Sequence, residues 1–261
     1  MSKIAKAFTN KKALIAFLTA GDPTIADSVR YVQVMEKAGA DLVEIGVPFS
    51  DPIADGPVIM EADVRALAHK IHLPQAMEEA REIRKVSQIP LVFLTYFNPI
   101  LSYGIERFFK DCAEIGVDGV IIPDLPHEEQ GEVRPTADKY DVDIIQMVAP
   151  TSEERIRTNV KDATGFVYLV SSMGVTGMRS DIKTDLADIV KIIRDTTDTP
   201  IAVGFGIHTP EQAEEMARLT DGAITGSGVV DLIGKYGNRA DEPLCAYISG
   251  LKAGVVKAAK K

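Results

Sequence analysis

The chain has 261 residues, 46% hydrophobic and 26% charged, which is the composition of an ordinary globular protein. Its net charge of −9 argues against a nucleic-acid or anionic-membrane partner, since both call for a basic face. Cys112 and Cys245 lie far apart and suggest neither a disulfide framework nor a thiolate metal site; His69, His72, His127 and His208 form no ligand constellation.

The first ten residues carry an amphipathic pattern, Ile4, Ala7 and Phe8, that predicts an extra N-terminal helix. Lys11-Lys12 and the apolar run after them mimic a targeting signal. Eight apolar residues cannot span a bilayer, however, so the run reads as a buried strand and the protein as cytoplasmic. Eight apolar runs then follow in chain order: 13–21, 41–48, 90–97, 119–125, 142–150, 166–172, 200–206 and 222–228. Between them lie segments of helical period, at 28–37, 59–68, 75–86, 105–115, 186–193 and 211–219. Strands alternating with helices mean parallel strands and right-handed crossovers. Eight such units in this length predict one (β/α)8 TIM barrel spanning residues 1–261 as a single domain. An open doubly wound sheet is the competing architecture, but "TAGDPTIADS" after the first strand offers no phosphate-loop pattern.

A barrel of this type carries its chemistry at the C-terminal ends of the strands. In "DLVEIGVP" alternation puts Val43, Ile45 and Val47 toward the helices, and Leu42, Glu44 and Gly46 into the barrel. A carboxylate is seldom buried without a partner or a task, and none of the other apolar runs contains Lys or Arg. Desolvation should raise the Glu44 pKa, which suits proton transfer near neutral pH. Asp51 and Asp55 follow in the next loop; both also fit turn chemistry, and spacing alone does not choose between them.

The late loops "SSMGVTGMRSD", "GFGIH" and "TGSGVV" are rich in glycine. In this fold the loops after strands seven and eight, with a short helix N-terminus, often bind phosphate. Gly204, Gly206, Gly226 and Gly228 would let backbone N–H groups approach an anion, and Ser227 would add a hydroxyl. Loop six, with Gly174 and Gly177, reads as a lid. No strand-end lysine or metal cluster is visible, which leaves acid–base chemistry on a phosphate ester.

"LVEIGVPFSDPIADGP" resembles the signature of the tryptophan synthase α-subunit family. The likeness extends through "FLTAGDP", "YFNPI", "DLPHEE", "GVTGMRS", "GFGI" and "TGSGVV", over essentially the whole chain. It implies retro-aldol cleavage of indole-3-glycerol phosphate to indole and glyceraldehyde 3-phosphate, with Glu44 and Asp55 catalytic and Asp51 structural. It also implies that Phe17, Ile59, Leu94, Tyr96 and Tyr168 line the indole end. Phosphate would rest on Gly177, Phe205, Gly206, Gly226 and Ser227, and Thr176 would couple the lid to Asp55. The expected partner is a pyridoxal-phosphate β subunit in an αββα heterotetramer, docked near 52–62 and 98–103, with no cofactor in this chain. A non-catalytic phosphate-binding regulatory subunit would be expected to lose Glu44 or Asp55. A barrel isomerase of a related intermediate would need acid–base residues at the ends of strands one and five. "FLTAGDP" offers Asp22 only after the turn, and "QMVAP" offers none.

Overall fold

The computed structural model describes residues 3–9, 11–170, 182–204 and 206–259, with the side chains of 182–185 excepted. Its strands are β1 (Ala13–Thr19), β2 (Leu42–Gly46), β3 (Leu91–Leu94), β4 (Gly119–Ile121), β5 (Asp143–Ile144), β6 (Gln146–Val148), β7 (Val167–Val170), β8 (Ile201–Gly204) and β9 (Gly222–Thr225). Every pairing is parallel, in the order β5-β4-β3-β2-β1-β9-β8-β7-β6. The two ends of this ladder are joined through a single residue, Ile145. Its N–H still bonds the Val120 carbonyl on the β4 side at 2.9 Å, and Gln146 already pairs with Val167 of β7. The fifth apolar run is therefore one bent strand shared between two neighbours, and the sheet closes as the expected TIM barrel.

The helices are α1 (Lys3–Ala7), α2 (Ile25–Ala38), α3 (Pro57–Ala68), α4 (Leu73–Val86), α5 (Phe97–Tyr103), α6 (Ile105–Ile115), α7 (Arg134–Lys139), α8 (Glu153–Val160), α9 (Ile182–Arg194), α10 (Pro210–Leu219), α11 (Ser227–Tyr236) and α12 (Asp241–Ala259). Among the described residues no helix is long and apolar enough to cross a membrane. The third apolar run is shorter as a strand than its hydrophobicity suggests. β3 stops at Leu94, and Phe97 opens α5, where Asp124 Oδ1 accepts the Phe97 N–H at 2.9 Å. That carboxylate satisfies an orphan donor of the first turn and favours the helix over further strand.

Alternation along β2 divides the core in two. Val43, Ile45 and Val47 pack outward with Met35, Phe93 and Phe108 in the layer between strands and helices. Leu42 points inward with Ile15, Val92, Ile121, Ala202 and Ile224. α1 plugs the N-terminal mouth, where Ile4, Ala7 and Phe8 belong to the same interior cluster. Lys3 lies 3.5 Å from Asp118, which also pairs with Arg84 at 3.0 Å, so the plug is tethered at its rim. At the opposite mouth, a Cβ on Gly46 would stand 2.4 Å from Phe17 Cζ. Only glycine there allows the Phe17 ring to lie across the barrel beside Glu44.

Ile4 is fully buried in a site that α1 alone fills. Ile4→Ala is expected to lower the unfolding free energy by about 2 to 5 kcal/mol, read by urea denaturation, with the barrel strands still formed by circular dichroism.

Candidate active site

Glu44 sits on β2 opposite Phe17 of β1 and Val92 of β3. It is 1% exposed, and its Oε1 has no hydrogen-bond partner among the described residues. Burial without compensation pushes its carboxyl up to about 8. The group is therefore mostly protonated at pH 7 and close to the point of releasing its proton.

Asp55 lies in the β2–α3 loop and faces the same cavity, of about 120 Å³. Tyr96 donates its hydroxyl hydrogen to Asp55 Oδ2 at 2.7 Å and accepts the Ala54 N–H at 3.0 Å. Phe49 stacks on the Tyr96 ring with centroids 5.0 Å apart. Burial raises the Asp55 pKa, and the Tyr96 hydrogen bond opposes that rise by favouring the carboxylate. Asp51 is exposed and accepts from Ser50 Oγ at 2.5 Å, which is the turn chemistry open to either aspartate from the sequence.

Phe17, Ile59, Leu94 and Tyr168 line the cavity with Glu44 and Asp55, and Gly206, Gly226 and Ser227 give it a glycine-rich wall. The Tyr168 hydroxyl pKa is raised by burial and then by the charges of Glu44 and Asp55, so this ring lies within electrostatic reach of both carboxylates. Gly206 has φ +77, in the left-handed region that favours glycine, and Gly226 immediately precedes α11. Gly226 and Ser227, at the start of α11, thus bring first-turn N–H groups to the cavity's glycine-rich wall.

Two expected binding residues take other places. Tyr96 is buried behind Asp55 and reaches the site through that carboxylate. Gly204 is tied to Tyr168: a Cβ there would meet the Tyr168 hydroxyl oxygen at 2.5 Å, so the glycine makes room for the ring. Thr176, Gly177 and Phe205, and the lid read into loop six, lie outside the described residues.

Other residues join the site without having been anticipated. Pro123, Met147, Ile224 and His208 line the cavity. Met147 follows from alternation, since it stands between the buried Gln146 and Val148. Asp63 is buried on α3, on the same helix face as Ala62 and Ala66, and its carboxyl is pushed up to about 8 by burial and by the charges of Asp55 and Asp22. Asp22 in turn holds Arg65 in a bidentate pair, at 3.0 and 2.7 Å. A helix face with alanines on either side of an aspartate is a weak signal, and only the fold reveals the acidic neighbours.

The model of the tryptophan synthase alpha chain family matches residues 4–254. A tryptophan synthase alpha chain from Lacticaseibacillus casei is 45% identical over 255 residues, 98% of this chain and 96% of that one. One from Lactiplantibacillus plantarum is 49% identical over 237 residues, 90% of each chain. The crystal structure of tryptophan synthase subunit alpha from Legionella pneumophila superimposes with a TM-score of 0.88 at 34% identity, covering 98% of both chains. A chain of the tryptophan synthase a2b2 complex from Pyrococcus furiosus superimposes at 0.85 with 35% identity, covering 92% of this chain and 98% of that one.

Because the Tyr96 hydrogen bond favours the ionised form of Asp55, Tyr96→Phe is expected to raise the Asp55 pKa further. Carboxyl carbon NMR on aspartate-labelled protein, with Asp55→Asn to assign the signal, measures this shift.

Proposed function

The chain belongs to the tryptophan synthase alpha chain family, and on that premise we propose that Glu44 and Asp55 perform the proton chemistry of its reaction. It is a carbon–carbon lyase that cleaves indole-3-glycerol phosphate to indole and glyceraldehyde 3-phosphate, and a β subunit takes up the indole. The observation that carries the residue assignment is the Glu44 carboxyl, buried, without a cationic partner among the described residues, and facing one cavity with Asp55.

The steps follow from the charges. Protonated Glu44 gives its proton to carbon 3 of the indole ring, and the ring nitrogen becomes positively charged. Ionised Asp55, held by Tyr96, accepts the indole N–H and stabilises that cation. The glutamate carboxylate then takes the proton from the glycerol hydroxyl next to the ring. That oxygen's electrons form the aldehyde, the carbon–carbon bond breaks, and its electron pair restores the aromatic indole. Glu44 ends the cycle protonated, and no proton is lost or gained. A carboxyl near 8 suits this double task, because neither transfer is far uphill at neutral pH.

Phe17, Ile59, Leu94 and Tyr168 would hold the indole, and Gly206, Gly226 and Ser227 the phosphate. Both proton transfers belong to side chains of this chain, and pyridoxal phosphate is left to the β partner. Docking would use the segments after β2 and β3, where Ile53 in the β2–α3 loop is 78% and Leu101 on α5 54% exposed. Cytoplasmic residence is likewise proposed, on the biosynthetic role of the family.

Glu44→Gln keeps the side-chain size but cannot titrate. Its turnover of indole-3-glycerol phosphate is expected to fall by more than ~100-fold while the substrate still binds. Asp55→Asn should be similarly crippled, and Asp51→Asn in the isolated chain should stay within about threefold of the parent. Indole release measured with and without a β subunit checks all three. Near-normal turnover of Glu44→Gln, or an inactive Asp51→Asn beside an active Asp55→Asn, overturns the assignment.

A further inference from the structure

Glu44 and Asp55 make the cavity acidic, yet the ester that enters it carries a phosphate with nearly two negative charges at neutral pH. The backbone N–H groups at Gly206, Gly226 and the start of α11 offer partial charge, equivalent to about half a proton for the whole helix end. Among the described residues lining the cavity there is no lysine or arginine, and His208 is the one basic side chain. The titratable groups that share the cavity with it, Glu44, Asp55 and Tyr168, are all acids.

His208 stands two residues beyond Gly206, in the turn that leads into α10, and its backbone is fixed from both sides. Its N–H donates to Gln212 Oε1 at 2.8 Å, and the same oxygen accepts the Thr209 N–H at 3.1 Å. On the other side, the Ile207 carbonyl accepts from Thr225 Oγ1 at 3.2 Å and from the Tyr247 hydroxyl at 3.3 Å. The imidazole itself makes no hydrogen bond among the described residues, and His208 is exposed at the cavity's phosphate end. A rigid turn thus presents a free, ionisable donor beside a neutral backbone cradle.

We propose that His208 is a substrate-binding residue that pairs with the phosphate of the ester, its ring N–H donating to a non-bridging oxygen and its positive form supplying the charge that the backbone cradle lacks. An imidazolium N–H that meets a phosphate oxygen forms a charge-assisted hydrogen bond. Such a charge-assisted bond favours the phosphorylated ester over its unphosphorylated counterpart. The inference rests on the phosphate end assigned under the proposed function and adds to it the one side chain among the described lining residues that can bear positive charge.

Calorimetric titration of the full chain with glycerol 3-phosphate, and with free indole as a second ligand, tests it. His208→Gln is expected to weaken glycerol 3-phosphate binding about five- to tenfold, and His208→Lys to restore it to within about threefold of the parent. Indole should bind all three proteins equally. Unchanged glycerol 3-phosphate affinity in His208→Gln, or a His208→Lys as weak as the glutamine variant, overturns the role of His208 and leaves the phosphate end standing. A parent chain that binds indole but no glycerol 3-phosphate overturns the phosphate end, and this inference with it.

Discussion

An uncompensated carboxyl inside a barrel is the constraint around which this molecule is arranged. Glu44 sits in the middle of β2, a strand whose inward neighbours are aliphatic and aromatic, and one of its oxygens has no partner among the described residues. Holding such a group costs stability. The folded-state pKa lies above the unfolded value, so the folded chain binds more protons over the interval between about 4.5 and 8, and stability falls as pH rises through it. The cost at neutral pH is on the order of 3 kcal/mol. Glu79 and Asp63 are raised to about 8 as well, both chiefly by burial. Glu79 differs in having found work for one oxygen, which accepts the Gly21 N–H at 2.7 Å behind the β1–α2 turn. Among the described residues no hydrogen bond gives Glu44 such a task, and the group faces the cavity where chemistry can use it.

The rest of the barrel meets that cost and aims the group. Interior side chains fill the lumen beneath Glu44, and α1 closes the far mouth, so water does not reach the carboxyl from below. Parallel register sets Phe17 beside Glu44 on one side and Val92 on the other. Tyr96 separates the roles of the two acids: its hydrogen bond opposes the rise that burial causes in Asp55, and among the described residues no hydrogen bond does the same for Glu44. Two carboxyls in one cavity are thereby given different surroundings: burial acts on Glu44 without a hydrogen bond to oppose it, and on Asp55 against the Tyr96 hydrogen bond.

The parts of this arrangement governed by period were legible in the sequence. Alternation along β2 correctly sends Val43, Ile45 and Val47 outward and Leu42 and Glu44 inward. The eight apolar runs become the barrel strands, with the fifth divided at Ile145 because its halves pair with different neighbours. Contacts between distant segments were not legible. Spacing could not choose between Asp51 and Asp55, because the choice depends on Tyr96, 41 residues further along. The same holds for Asp63, whose acidic neighbours come from two other segments. The neighbour of Gly204 was not legible for a related reason: glycine near a strand end can serve a phosphate or a neighbouring ring, and a Cβ here would meet the Tyr168 hydroxyl.

The central claim is that Glu44 is a carboxylic acid held neutral at pH 7 by its burial. Carboxyl carbon NMR of glutamate-labelled protein, titrated between pH 5 and 9 and subtracted from the same titration of Glu44→Gln, isolates this one group. A signal that titrates near 8 and vanishes in the variant is the predicted result. A Glu44 signal already ionised below pH 5 would contradict the account, because a carboxylate with no proton at neutral pH could not begin the cleavage.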